Sequence, residues 1–349
     1  MIGYGERMPI ALSILDQSTV VSGRTPRDAI QETLDLARLA DTLGYARYWL
    51  AEHHNSASHA GTAPEVLMAA IAATTRRIRL GSAGIMLPHY SALKVAEQFK
   101  VLEAIAPGRI DLGVGRAPGS DGRTAYALNP MAAQQPEDAF PRQVQDLLGW
   151  LGEGLPVDHP FRAVQAQPAG PTTPEVWMLG SSDYGAQLAA AFGLPYCFAS
   201  FITDGRGTAE ALALYRQQFR AKPGRREQPY AAIAVFALCA DSHAEARRLY
   251  GSRELWRLGR DRGVYAPLPS AEEAAAYPYS EAELAQLERS RARAVIGTPE
   301  QVSDRLRQLA EQVGAQEIAV LSPMHDAAAR RRSVTLLAEA FAFAPVPVS

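Results

Sequence analysis

Cysteine is nearly absent from this sequence. Two thiols, Cys197 and Cys239, stand in a chain of 349 residues. Both fall in apolar, strand-like runs, so there is neither a disulfide framework nor a thiolate metal site. Buried, inert thiols are the expected state. An excess of one charge is lacking too. The 35 Lys and Arg, nearly all Arg, face 37 Asp and Glu, for a formal charge of −2. No basic surface is there to attract nucleic acid. The triple Arg330-Arg331-Arg332 is expected to form a solvated helix face. No apolar run reaches the length of a membrane span. Residues 1–10 contain Glu6 and Arg7 and lack an apolar signal core. A cytoplasmic protein with neither nucleic-acid nor membrane partners is therefore expected.

What is present is alternation. Short apolar strands are predicted at Ile10–Leu15, Tyr45–Ala51, Ile78–Leu87, Ile110–Gly115, Val176–Leu179, Tyr196–Phe201, Ala231–Ala240 and Ile318–Leu321. A helical pattern follows each, several with explicit starts: Thr25-Pro26-Arg27-Asp28, Thr62-Ala63-Pro64-Glu65, Ser242-His243-Ala244-Glu245 and Thr298-Pro299-Glu300. Eight strand–helix units point to an α/β fold with the parallel sheet closed into a single (β/α)8 barrel over residues 1–349. An open doubly wound sheet is the structural alternative. Two stretches break the rhythm. Residues 117–141 read as a long loop after the fourth strand. Residues 253–293 read as a polar, proline-bearing insertion after the seventh helix, of the kind that forms lids.

In such a barrel the chemistry lies where the strands end. Glu52-His53-His54-Asn55 follows the second strand, and Ser82-Ala83-Gly84 lies within the third. Gly115-Arg116 ends the fourth. Gly180-Ser181-Ser182-Asp183 joins the fifth to its helix, and Ser322 and His325 follow the eighth. Adjacent His53 and His54 point to opposite sides of an extended chain, so one of them at most faces the mouth. Contiguous residues on a strand also cannot converge on one ion, so no metal is expected. Gly180, Ser181 and Ser182 open a helix whose free N–H groups and dipole suit an anion. Arg116, on the neighbouring strand end, would bring a guanidinium to the same anion. Gly113-Val114-Gly115-Arg116-Ala117-Pro118 imitates a dinucleotide fingerprint but has Pro118 in place of the third glycine.

These residues resemble a known family. Tyr48-Trp49-Leu50-Ala51-Glu52-His53-His54 is similar to the second strand end of the bacterial luciferase-like flavin-dependent monooxygenases. Residues 80–88 resemble their third strand, residues 108–116 their fourth and residues 296–300 their late helix start. The resemblance runs in order along nearly the whole chain. It implies a (β/α)8 barrel using reduced FMN and O2 to oxidise a small organic substrate. By position it implies His53 as the active-site histidine. Arg116, Ser181 and Ser182 would hold the FMN phosphate beside Gly115 and Gly180, with Arg142 as a further phosphate ligand. Ala83–Gly84 would be a cis peptide beneath the flavin ring. Gly115 stands where light-emitting subunits carry a reactive cysteine, which argues against light emission. The resemblance further implies a homodimer and a separate flavin reductase as the source of reduced FMN. Related chains use the deazaflavin F420 for hydride transfer, and others are non-catalytic flavin-binding partner subunits. Both remain alternatives at this point.

Overall fold

Helix starts in this chain are set by side chains that satisfy the first free N–H groups. In the computed structural model, which describes residues 10–117, 119–131, 139–291 and 293–342, Thr25 accepts from the Asp28 N–H while Asp28 answers the Thr25 N–H. That capping box opens α1 (Pro26–Leu43), and Gly44 closes it in the left-handed region, φ 88°. Ser242 likewise caps α9 (His243–Asp261), and Thr298 with Gln301 caps α12 (Pro299–Val313). The start of α2 (Pro64–Ala72) differs from expectation. Its N-cap is Ala63, with no side-chain bond, so Thr62 does not serve as the cap.

Between these helices run β1 (Ala11–Asp16), β2 (Arg47–Leu50), β3 (Arg79–Ser82), β5 (Ile110–Gly115), β6 (Glu175–Gly180), β7 (Tyr196–Phe198), β8 (Ala231–Cys239) and β10 (Glu317–Leu321). They pair in that order, all parallel, β8 meeting β10 through Val235↔Val320, and β10 returns to β1 through Val320↔Ile14. The sheet therefore closes into an eight-stranded barrel ringed by helices. This is the expected fold, and the open-sheet alternative is overturned by the return of β10 to β1.

Three local readings change. The third strand is interrupted at Ala83–Gly84 and resumes as β4 (Ile85–Met86), paired to β5. A short β9 (Val295–Gly297) extends the end of β8. Residues 117–141 include a capped helix, α4 (Gly122–Leu128), while residues 118 and 132–138 of that stretch lie outside the described residues. Residues 253–261 are the last turns of α9. The rest of the segment forms α10 (Ala271–Ala276) and α11 (Glu281–Arg291), and residue 292 is outside the description. Its middle is tied to the loop after β1: Leu268 N–H donates to Val20 O at 2.9 Å and Ser22 N–H to Leu268 O at 2.8 Å.

Alternate residues of the strands fill the barrel interior. At the N-terminal end Arg47 bonds Asp111 at 3.0 Å and pairs with Glu317, with Glu175 at 3.6 Å. Above them Trp49 and Trp177 meet edge to face, centroids 5.2 Å apart. Gly81 makes room for this layer, since a Cβ there would sit 2.2 Å from the Trp49 ring. Arg330, expected on a solvated face, is only 4% exposed and bonds Asp16 at 2.9 Å. The periodicity that placed it on α13 (Ala327–Ala340) does not reveal the carboxylate beneath it. Both cysteines are buried free thiols. Among the described residues, no helix is long and apolar enough to cross a membrane.

Candidate functional site at the barrel mouth

The upper end of the interior is lined by small residues. Ala51, Ala83, Gly84 and Gly115 end or follow three neighbouring strands. The Ala83–Gly84 peptide is cis. A Cβ on Gly84 would lie 2.6 Å from Leu179 Cδ1 and 2.7 Å from the Gly113 carbonyl, so the backbone there is packed from below. A Cβ on Gly115 would meet none of the described residues within 4 Å. The result is a backbone shelf, closely supported underneath and open beside Gly115. A flat ring can approach such a shelf more closely than it could approach a row of side chains.

Two neighbouring strand ends bring the anion-binding candidates together. Arg116 leaves the end of β5, and its guanidinium lies 4.2 Å from the centre of the Tyr184 ring in the first turn of α6 (Asp183–Phe192). Ser182 is the N-cap of α6, yet its side chain makes no capping bond. Its carbonyl accepts from Tyr196 OH at 2.9 Å, which fixes the turn. The α6 N-terminus, the Ser181 and Ser182 hydroxyls and Arg116 thus form one donor set at the rim. Gly180 lies close under α6, where a Cβ would be 3.6 Å from Gly185 Cα. Arg142 is exposed in the first turn of α5 (Ala139–Leu148). The approach to it, residues 132–138, lies outside the described residues.

The two adjacent histidines diverge. His54 Nε2 lies 2.8 Å from Glu52 Oε1. That carboxylate, 1% exposed, also accepts from Tyr90 OH at 2.6 Å and from the Met86 N–H at 3.1 Å. Glu52 and His54 therefore bind β2 to β4 and fix the segment carrying Ala83–Gly84. His53 turns to the other side and stacks on His59, centroids 4.3 Å apart. His59 in turn meets the edge of Trp256 from α9 at 5.9 Å. His53 Nδ1, His59 Nε2 and Ser322 Oγ are buried and find no hydrogen-bond partner among the described residues. Burial lowers the His53 pKa to about 4, with help from the Arg260 charge. The ring is thus held well below the ordinary histidine value near 6.5. Burial lowers His59 further, to about 3, with help from His53 and Arg260. Both rings are neutral at pH 7.

His59, Trp256 and Tyr184 were not anticipated. His59 sits in a loop and Trp256 on a distant helix, and no periodic pattern joins them. Tyr184 lies two residues after the predicted phosphate turn, so a stacking partner for Arg116 could have been sought there. Among the described residues, no three His, Cys, Asp or Glu side chains group as metal ligands. His325 is used elsewhere, its Nε2 lying 3.0 Å from Ser22 O.

The residues present fit the FMN that the resemblance implies. The shelf at Ala83–Gly84 suits a planar ring, the rim of Arg116 and α6 suits a phosphate, and His53 Nδ1 is a buried polar atom awaiting a partner.

Comparison with known proteins agrees with the site. Residues 8–317 match the family described as luciferase-like monooxygenase. The N-acetyl-S-alkylcysteine monooxygenase of Bacillus subtilis (strain 168) is 38% identical over 333 residues, covering 95% of this chain and 98% of that protein. The crystal structure of apo-MsnO8 superposes with a TM-score of 0.88 at 39% identity, covering 97% of this chain and 100% of that one. The oxygenating constituent of 3,6-diketocamphane monooxygenase from Pseudomonas putida, solved in complex with FMN, shares the fold. Its TM-score is 0.71 at 20% identity, over 95% of this chain and 98% of that one.

Proposed function

This chain belongs to the luciferase-like monooxygenase family, and we propose that it binds reduced FMN at the barrel mouth and uses O2 to oxygenate a small organic substrate. The observation that carries the reading is the pairing of two features on adjoining strand ends: the side-chain-free shelf at Ala83, Gly84 and Gly115, and the rim of Arg116 with the uncapped Ser182. Reduced FMN, when bound, supplies the electrons that activate O2. The chain's own residues do the rest. Arg116, Ser181 and Ser182 hold the phosphate, and Arg142 on α5 is a further candidate ligand. Ala83–Gly84 supports the ring. Glu52 and His54 keep that shelf in place. His53, neutral and with a free Nδ1, donates or accepts a hydrogen bond beside the reacting atoms and moves a proton there. The segment 253–293, whose Trp256 packs against His59, serves as the cover that keeps water out.

Reduced FMN would come from a separate reductase, since the only dinucleotide-like turn, residues 113–118, lacks the third glycine and its Arg116 is used at the phosphate rim. The protein is expected to act as a homodimer in the cytoplasm. Mixed with FMN and NADH or NADPH alone, it should leave the flavin oxidised. With an FMN reductase added, a substrate panel led by N-acetyl-S-alkylcysteines should gain one oxygen atom, traceable from labelled O2 by mass spectrometry. Rapid flavin bleaching by the protein alone would overturn the two-component scheme. Binding of the deazaflavin F420 with none of FMN would overturn the choice of cofactor.

A further inference from the structure

Buried arginines in this protein come with carboxylates. Arg47 has Asp111 and Glu317, and Arg330 has Asp16. Arg253 on α9 is the exception. It is 9% exposed, and its guanidinium lies over the Phe236 ring at 4.1 Å and near the Tyr250 ring at 5.9 Å. Its hydrogen bonding among the described residues is one long contact, 3.4 Å, to the Tyr250 hydroxyl. Among the described residues no carboxylate hydrogen-bonds to it, and the carboxylate whose charge reaches it, Asp204, is engaged elsewhere. Asp204 is held through both oxygens by Arg257 at 2.7 and 2.9 Å. A lone buried cation is costly unless something neutralises it. Burial already pulls the Arg253 pKa below the ordinary arginine value.

The same side chain lines a cavity of about 520 Å³ bounded by the segment 200–207 after β7 and by β8, α8 (Thr208–Gln218), α9 and α12. That volume suits a small organic ligand. The cavity carries four arginines, Arg206, Arg253, Arg293 and Arg305, against two carboxylates, Asp204 and Glu210. Its inner wall is apolar: Phe201, Ile233, Val235 and Phe236. Phe201 also packs against the interior cluster that includes Trp49 and Trp177, as does Ala83 of the shelf. Ile233 and Val235 belong to the layer between barrel and helices, whereas Ala232 and Ala234 belong to the interior cluster, so β8 stands between that part of the cavity and the mouth.

We propose that this cavity is an organic-acid site, in which Arg253 anchors the carboxylate and the apolar part of the acid packs on Phe201 and Phe236. The inference goes beyond the monooxygenase reading and does not depend on it, since the cavity is lined by other residues than the flavin shelf and rim. A planar carboxylate matches the guanidinium fork, and the apolar wall selects an acid with a hydrocarbon or thioether body over a bare inorganic ion.

The test is calorimetric and needs no turnover. N-acetyl-S-benzylcysteine, octanoate and benzoate are titrated into the purified full-length chain, each beside its methyl ester, with inorganic phosphate as a further ligand. At least one acid should bind more tightly than its ester. Arg253→Met should weaken that acid by roughly 10- to 100-fold, the size expected for a charge-assisted bond, and leave the ester unchanged. Arg253→Lys, which keeps the charge, should retain part of the preference and serves if the Met variant does not fold. Acid and ester binding alike, an acid indifferent to Arg253→Met, or phosphate competing as well as the acids would each overturn the proposal. FMN titration of the same samples keeps the two readings apart. Acid binding without FMN binding would sink the flavin assignment alone, and the reverse would sink the carboxylate site alone.

Discussion

The two ends of the barrel interior treat polar atoms in opposite ways. At the floor Arg47 is shared among Asp111, Glu317 and Glu175. Ser13 and Tyr230 add hydroxyls to Glu317 at 2.5 and 3.1 Å, and Arg79 bonds Asp111 at 2.6 Å. Burial works against the Arg47 charge, yet Glu317 and Asp111 carry its pKa above the ordinary arginine value. At the mouth His53, His59 and Ser322 each keep a buried polar atom that finds no partner among the described residues. A satisfied network gives up its bonds when anything enters it, whereas an unsatisfied one gains from a ligand. The floor holds the barrel together, and the mouth is prepared for a guest. A cleft of about 720 Å³ does open at the floor end, beside Glu175, Arg225 and Arg226. Arg226 and Glu175 satisfy each other there at 2.6 Å. Space alone does not mark the site.

This contrast is breakable by substitution. The largest expected effect is on rate, at the mouth. His53→Gln should slow product formation by about 10²–10⁴-fold, the usual loss when a general acid or base is removed. It should leave the unfolding midpoint nearly unchanged, because no hydrogen bond of the His53 ring is lost. His54→Gln should spare the rate more and the stability less, since His54 is tied to Glu52. Urea unfolding and single-turnover kinetics on both variants give the answer. Equal rate losses with equal destabilisation would make the pair structural.

The next effect is the mirror image, at the floor. Arg47→Ala leaves Asp111, Glu317 and Glu175 without their central cation and should cost about 3–5 kcal/mol of stability. The folded fraction should still bind FMN normally. A loss of flavin affinity at full stability would mean that the two ends are not separate in function.

How far the sequence reaches follows the same division. The eight strands and the caps at Thr25, Ser242 and Thr298 are local, and the sequence predicts them. So are the strand-end residues Arg116, Ser181 and Ser182, because a barrel places chemistry where strands stop. The His59–Trp256 wall is not legible, since it joins a loop to a helix far along the chain. The burial of Arg330 is hidden for a similar reason: its partner Asp16 comes from the first strand. The short β9 fell below the length at which alternation shows. Residues 253–293 read as polar and irregular, and their two short helices are held by bonds to the loop after β1, which no local pattern records.

A smaller effect sharpens the rim. Arg116→Ala should weaken FMN binding by about 1.5–3 kcal/mol, a charge-assisted bond's worth, and leave riboflavin binding almost untouched. Equal losses for both flavins, measured by fluorescence quenching, would move the phosphate away from Arg116.

The smallest effect is on the pH dependence of stability, and it comes from the histidine stack. Burial and the Arg260 charge hold His53 at about 4, and burial, His53 and Arg260 hold His59 at about 3. In the unfolded chain both rings return to about 6.5. Above that value neither state carries the extra protons, and stability owes nothing to these groups. As pH falls below about 6.5 the unfolded chain takes up protons that the folded chain refuses, so stability declines. The decline continues until the folded rings protonate, near 4 for His53 and near 3 for His59. Each imidazole can contribute at most about 1.4 kcal/mol per pH unit in that window. His59→Phe keeps a ring against both His53 and Trp256 but removes one titrating group. Its melting temperature should therefore fall less steeply between pH 6.5 and 4.5 than that of the parent, by roughly 1–2 °C per pH unit. Above pH 7 the two curves should run parallel. The control is Leu112→Ala on β5, which removes buried apolar atoms and no charged group, and it should lower the whole curve without changing its slope in this window. Equal slopes for His59→Phe and the parent would mean that the stack is open enough to protonate in the folded state, and the mouth would then be less dry than its unpartnered nitrogens indicate.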